Sequence, residues 1–140
     1  MKKFPVWPIL MACAYCACAQ AQNYPNRSIR LVVPWAAGGP PDAVGRLLGQ
    51  RVGEAFKQQV VIDNRPGANS IIGTEMVARA APDGYTWLLT TGSHTTNAAL
   101  HPKLPYDTLK DFFPLTMVGE SAGMVLGVHP SLPVKSVKEL

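Results

Sequence analysis

Between Ile29 and Thr90 the apolar positions alternate between short continuous runs and helical spacing. Ile29-Arg30-Leu31-Val32-Val33 is apolar apart from Arg30, which predicts a strand buried on both faces, the kind found in parallel sheets. Val44, Leu47, Leu48, Val52, Ala55 and Phe56 recur at helical spacing and predict an amphipathic helix from Pro41 to Lys57. Val60 to Ile62 reads as a second strand. Turn formers follow across Asp63 to Ser70, among them Pro66-Gly67 and Asn69. Ile71, Ile72, Met76, Val77 and Ala80 predict a second helix, ended by Pro82-Asp83-Gly84, and Tyr85 to Thr90 a third strand. Gly92 to Leu100 opens as a loop and turns into a short helix.

This alternation predicts an α/β fold with a mostly parallel sheet flanked by helices. Right-handed crossovers would bring three loops to one sheet edge: Trp35 to Asp42, Asn64 to Ser70, and Thr91 to Asn97. Ligands of open α/β sheets bind at that edge. Further on, Phe113 to Val118 and Met124 to Val128 read as two apolar strands separated by Gly119 to Gly123. Val134 to Leu140 begins a helix, with Ser136 as N-cap and Glu139 as its capping-box partner. The chain stops one turn later, so the pattern looks cut off.

The N-terminus follows different rules. Lys2 and Lys3 precede an apolar run from Phe4 to Ala19, and Ala19-Gln20-Ala21 is a small-x-small cleavage signal. Residues 1–21 therefore read as a secretory signal peptide, so the mature protein is exported. Leu10-Met11-Ala12-Cys13 supports an alternative, lipoprotein processing at Cys13. All three cysteines, Cys13, Cys16 and Cys18, lie in this segment, so the mature chain needs no disulfide. Losing Lys2 and Lys3 halves the formal net charge of +4. No basic cluster interleaves with aromatics, and nothing points to nucleic acid.

Candidate chemistry gathers on the three loops. The first, Pro34-Trp35-Ala36-Ala37-Gly38-Gly39-Pro40-Pro41-Asp42, joins a strand to a helix. Its glycines let backbone approach a ligand, and the helix start offers unpaired N–H groups to an anion. The order is neither GxGxxG nor a P-loop, and no lysine follows to neutralise a phosphate, so a carboxylate fits better. The same pattern also serves an ordinary turn. Asp42 either stabilises the helix dipole or receives an ammonium group. Trp35 either walls the pocket or packs in the core. In the second loop Asn69 and Ser70 offer donors, and Ser70 could equally cap the next helix. Arg65 reads as part of a surface turn. In the third loop, Thr91, Ser93, His94, Thr95, Thr96 and Asn97 are more polar groups than a turn requires. Catalytic readings are poor. Ser93-His94 lacks the nucleophile elbow. The three histidines lack metal-ligand spacing, and no carboxylate pair stands out. No cofactor or metal is expected.

The segments VPWAAGGPPD, VVIDNRPGANSIIG, AAPDGYTWLLTT, LPYDTLKDFFPL and VHPSLPVKSVKEL resemble the Bug (TctC-like) periplasmic substrate-binding proteins of tripartite tricarboxylate transporters. The resemblance runs from Tyr24 to Leu140. It implies a Venus-flytrap fold of two α/β lobes that holds a small carboxylate, performs no catalysis and delivers its solute to membrane permease subunits. On that basis residues 22–118 form lobe 1 and residues 119–140 start the crossover to a lobe 2 that is missing, this being an N-terminal, truncated form. The implied binding set is Trp35, Ala37, Gly38, Gly39, Asp42, Asn69, Ser70, Ser93 and His94. The alternatives are a non-functional relic of a longer gene and, more remotely, a small serine hydrolase using Ser93 and His94. Where Pro41 stands, the family commonly has a hydroxyl residue. With Pro41 at the first helical position, the donors expected of this loop are the N–H groups of Gly38, Gly39, Asp42 and Ala43.

Overall fold

A computed structural model describes residues 24–120, 127–134 and 136–139. The predicted signal peptide lies outside the described residues, as does the lipidation alternative at Cys13.

The three predicted strands form. β1 (Ile29–Val33), β2 (Val60–Asn64) and β3 (Thr86–Leu88) make one sheet in the order β2-β1-β3. All pairings are parallel, with Ile29 opposite Val60 and Leu31 opposite Trp87. β1 is central, and Ile29, Leu31, Val32 and Val33 are at most 2% exposed. Helices α1 (Pro40–Phe56), α2 (Ile71–Ala78) and α3 (Ser93–Leu100) follow β1, β2 and β3 in turn along the chain. α1 packs on β1 and β2, whereas α2 packs on β1 and β3.

The buried face of α1 is not the predicted one. Val44, Leu47 and Phe56 are exposed, while Asp42, Gly45 and Gly49 are buried. A Cβ on Gly45 would lie 3.1 Å from Val33 Cγ2, and one on Gly49 3.0 Å from Ile62 Cδ1. Two glycines thus let the helix backbone come close to the sheet, and a hydrophobicity pattern does not register them.

On the opposite face, Arg30 of β1 bonds to Asp63 of β2 and to Met76 of α2. Arg65 binds the same aspartate at 2.8 Å. Burial would raise the Asp63 pKa, but the two guanidinium groups outweigh it and the net shift is downward. At the lower end of the sheet, Tyr24 donates to Gly84 O at 2.6 Å, and Arg27 pairs with Asp83 while lying over the Tyr85 ring.

Phe113 to Val118 is not a strand. It is irregular, with Phe113, Leu115 and Met117 exposed by 86%, 67% and 77%. A strand is defined by bonds to a neighbour, and the sheet ends at β3 without pairing to this segment. Of the second predicted strand, residues 124–126 lie outside the described residues, and Gly127 and Val128 are not in a strand. In place of the final helix there is a 3-10 turn, Val137–Glu139. Ser136 and Glu139 do meet there, with the hydroxyl donating to Oε1 at 3.0 Å.

Candidate functional site

Parallel pairing puts the ends of β1, β2 and β3 side by side, and the loops that follow them are joined. Arg65 N–H donates to Val33 O at 2.9 Å, and Asn64 Nδ2 donates to Trp35 O at 3.1 Å. These two bonds tie the second loop to the first. The Ser70 and Ser93 hydroxyls share a hydrogen bond of 2.9 Å, tying the third loop to the second.

In the first loop Trp35 is half-buried, and Ala37 and Gly38 are exposed. Gly38 has φ +84°, a left-handed conformation that favours glycine. Gly39 is the N-cap of α1, and Pro40 and Pro41 occupy its first two positions, one residue earlier than expected. Both prolines lack an N–H. Gly38 N–H already donates to Asp42 Oδ2 at 2.8 Å, and Ala43 N–H to Gly39 O at 3.0 Å. The expected donor set of four N–H groups therefore shrinks to Gly39 and Asp42.

Asp42 is only 3% exposed. Its Oδ2 also accepts from Arg46 Nε at 2.9 Å. The Arg46 guanidinium and then the Gly38 N–H lower its pKa to about 2, against the opposing effect of burial. Oδ2 is thus paired within its own loop, which offsets part of the repulsion the carboxylate would exert on an anion, while the buried Oδ1 has no hydrogen-bond partner among the described residues.

The second loop runs through Gly67, Ala68, Asn69 and Ser70 with φ of +136°, +46°, +50° and +75°. Ser70 is 2% exposed. Asn69 Nδ2 donates to Asn97 Oδ1 at 2.9 Å, and Asn97 Nδ2 donates back to Asn69 O at 2.8 Å. In the third loop Ser93 Oγ also lies 3.3 Å from Thr91 Oγ1. Thr95 and Thr96 direct their hydroxyls to Gly92 O at 3.0 and 2.9 Å, which accounts for part of the polar excess in this segment.

His94 faces elsewhere. Its ring stacks on Tyr106 at 6.1 Å, meets Phe112 edge-on at 5.1 Å, and places Nε2 3.3 Å from Thr108 O. Its contacts thus fasten α3 to the segment after it. Ser93 and His94 are neighbours whose side chains find different partners, so they form no nucleophile–base pair.

The structure therefore gathers Asn69, Ser70 and Ser93 into one bonded group, and Trp35, Gly38, Gly39 and Asp42 into an adjoining loop. The arginines of these loops are engaged: Arg46 with Asp42, and Arg65 with Asp63. Both use only Nε in these pairs, so beside their outer guanidinium N–H groups the edge offers a ligand main-chain N–H groups and hydroxyls. Asn64 and Asn97, which join the loops, were named in the sequence only as members of polar loops and not in the implied binding set. An asparagine at the end of a strand and another inside a polar run carry no local signal of what they reach. Among the described residues no group of three His, Cys, Asp or Glu side chains could hold a metal ion. Nor is any helix among them long and apolar enough to cross a membrane. Two open concavities lie away from this edge. One, of about 650 Å³, runs along α1 and β2 and includes Arg46, Gly53 and Lys57. The other, of about 640 Å³, lies around Tyr106.

Residues 44–140 match the tripartite tricarboxylate transporter family receptor, TctC. Protein BugT of Bordetella pertussis is 38% identical over 122 residues, which are 86% of this chain and 37% of BugT. MatC of Rhodopseudomonas palustris, solved with bound malate, superposes with a TM-score of 0.60 at 41% identity, over 65% of this chain and 31% of MatC. A second R. palustris protein, solved with adipate, gives a TM-score of 0.66 at 35% identity, over 84% of this chain and 39% of its own. The chain thus spans well under half the length of the relatives it matches. Another solved relative, 42% identical, is the periplasmic binding protein BugD, and the family is one of substrate-binding receptors, not enzymes. With its parallel sheet, its joined strand-end loops and this match over more than half its length, the chain belongs to the tripartite tricarboxylate transporter receptor (TctC) family.

Proposed function

We propose that this chain is an extracytoplasmic solute-binding protein that captures a small carboxylate at the upper edge of its sheet for a tripartite tricarboxylate-type transporter. The observation that carries the reading is the joining of three strand-end loops into one edge whose arginines are already paired. Such an edge holds a carboxylate through N–H and hydroxyl donors, directly or through water. The malate and adipate bound to two relatives belong to that chemical class.

Gly39 and Asp42 supply main-chain N–H groups at the start of α1, where the helix dipole favours an anion. Ser70 and Ser93 supply hydroxyls, Asn69 lies on the same turn as Ser70, and Trp35, Ala37 and Gly38 shape the approach. His94 acts indirectly, by holding α3. Export through residues 1–21 brings the protein to the periplasm, where the permease subunits are its partners. In a two-lobed cleft this edge would be one wall.

Amide NMR tests the assignment. Adding malate or adipate to the labelled chain should shift the signals of Gly39, Asp42, Ser70 and Ser93 together, with one saturation curve. Shifts confined to the concavity along α1 and β2, or no shifts at millimolar ligand, would overturn it.

A further inference from the structure

We infer that Asn97 is a positioning residue for the carboxylate edge: its buried amide holds the left-handed turn Ala68–Ser70 and thereby sets the Ser70–Ser93 hydroxyl pair. This rests on the carboxylate reading above. Ala68, Asn69 and Ser70 have positive φ in succession, and none of them is glycine. For an L residue that conformation crowds Cβ against the following carbonyl oxygen, so it persists only where the surroundings over-determine it.

Two main-chain bonds anchor the turn, Ile71 N–H to Ala68 O and Thr74 N–H to Ser70 O, both at 3.1 Å, and neither engages its middle residue, Asn69. The remaining bonds come from Ser93, to the Ser70 hydroxyl, and from Asn97, which is 0% exposed and alone among the described residues holds Asn69. Its Nδ2 donates to the Asn69 carbonyl at 2.8 Å and lies 3.5 Å from Ser70 Oγ, and its Oδ1 accepts from Asn69 Nδ2 at 2.9 Å. Asn97 thus grips both the main chain and the side chain of the middle residue of the turn. Ser93 sits one helical turn before Asn97 on the same face of α3. One helix therefore fixes the turn and carries the partner of Ser70. Held this way, the turn leaves the N–H groups of Ala68, Asn69 and Ser70 without an acceptor among the described residues. The Asn97 amide is occupied by the turn, so it acts on the solute through the turn and not by contact.

The test uses the labelled full chain with malate as the probe, and reads both the affinity and the scalar couplings that report φ at residues 68–70. Asn97→Ala should abolish the positive-φ couplings and weaken malate binding at least tenfold. Adding Ala68→Gly, which relieves the strain at one position, should restore part of that affinity. If Asn97→Ala does not melt cooperatively, Asn97→Asp replaces it. The carboxylate so introduced would keep the acceptor for Asn69 Nδ2 but lose the donor to Asn69 O, and the same losses are expected. Unchanged couplings, or an affinity within twofold of wild type, would overturn the inference. If the wild-type chain binds no malate, the carboxylate reading is what fails. The couplings then decide the hold on their own, their loss in Asn97→Ala supporting it and their retention refuting it.

Discussion

At Gly38 the chain takes a left-handed turn, and a Cβ added there would meet nothing within 4 Å. The need for glycine is thus conformational and not steric. Gly38→Ala should cost about 1–2 kcal/mol of stability, measured by urea unfolding, without disturbing the packing. A few residues on, Asp42 accepts the Gly38 N–H, and its pKa lies at about 2, below the ordinary 3.8. A carboxylate whose folded-state pKa is depressed stabilises the fold above its unfolded-state value and loses that contribution as pH falls toward the folded one. Asp42→Asn should therefore melt below wild type at pH 7, with a gap that narrows between pH 3.8 and about 2. A gap that stays constant to pH 2 would show that Asp42 acts through something other than its charge. The type and place of Asp42 were legible in the sequence, but its partner was not. Whether it caps a dipole, meets a ligand or clasps its own loop depends on how Gly38 folds back. Asn97 was still less visible, because its role depends on a turn far from it in the sequence.

The strands and helices of the lobe could be read from periodicity, because each switch from run to helical spacing coincides with a real element. The face of α1 could not, because close approach selects glycines where a hydrophobic pattern looks for large residues. The two kinds of tight glycine contact make a contrast. At Gly49 the neighbour is the flexible end of Ile62, and alanine also favours the helix by about 1 kcal/mol. Gly49→Ala should thus leave stability within about 1 kcal/mol of wild type. At Gly73 the neighbours are Pro34 Cβ at 2.7 Å and the Arg65 carbonyl at 2.8 Å, and neither can swing aside. Gly73→Ala should cost about 2–3 kcal/mol in the same urea titration. Equal effects at the two sites would contradict the packing described. The strand expected at Phe113 to Val118 was misread for the converse reason. Its composition suits a strand, but composition does not supply a neighbour.

On the scale of the whole molecule, Leu109, Phe113, Leu115 and Met117 form an exposed apolar stretch beside a lobe with a small core. Such surface favours association. Sedimentation velocity should show concentration-dependent self-association that Phe113→Ser combined with Leu115→Ser reduces. A strictly monomeric wild type would count against this. The family was legible from five short motifs and the convergence of the loops from the strand–helix alternation, whereas the hydrogen bonds that join the loops became visible only in three dimensions. The account depends most on the claim that this edge takes a carboxylate at the start of α1. Gly39 has an ordinary extended backbone, and a Cβ there would touch only Ala36 O at 3.5 Å and Pro41 Cδ at 3.8 Å. The backbone there thus accommodates a Cβ, and a branched side chain would crowd the Gly39 N–H beside it. The most direct measurement is a calorimetric titration of malate and adipate into the wild-type chain and into Gly39→Val. The account predicts weak, saturable binding to wild type and its loss in a variant that still melts cooperatively. Equal binding to both proteins, or none to wild type, would contradict it.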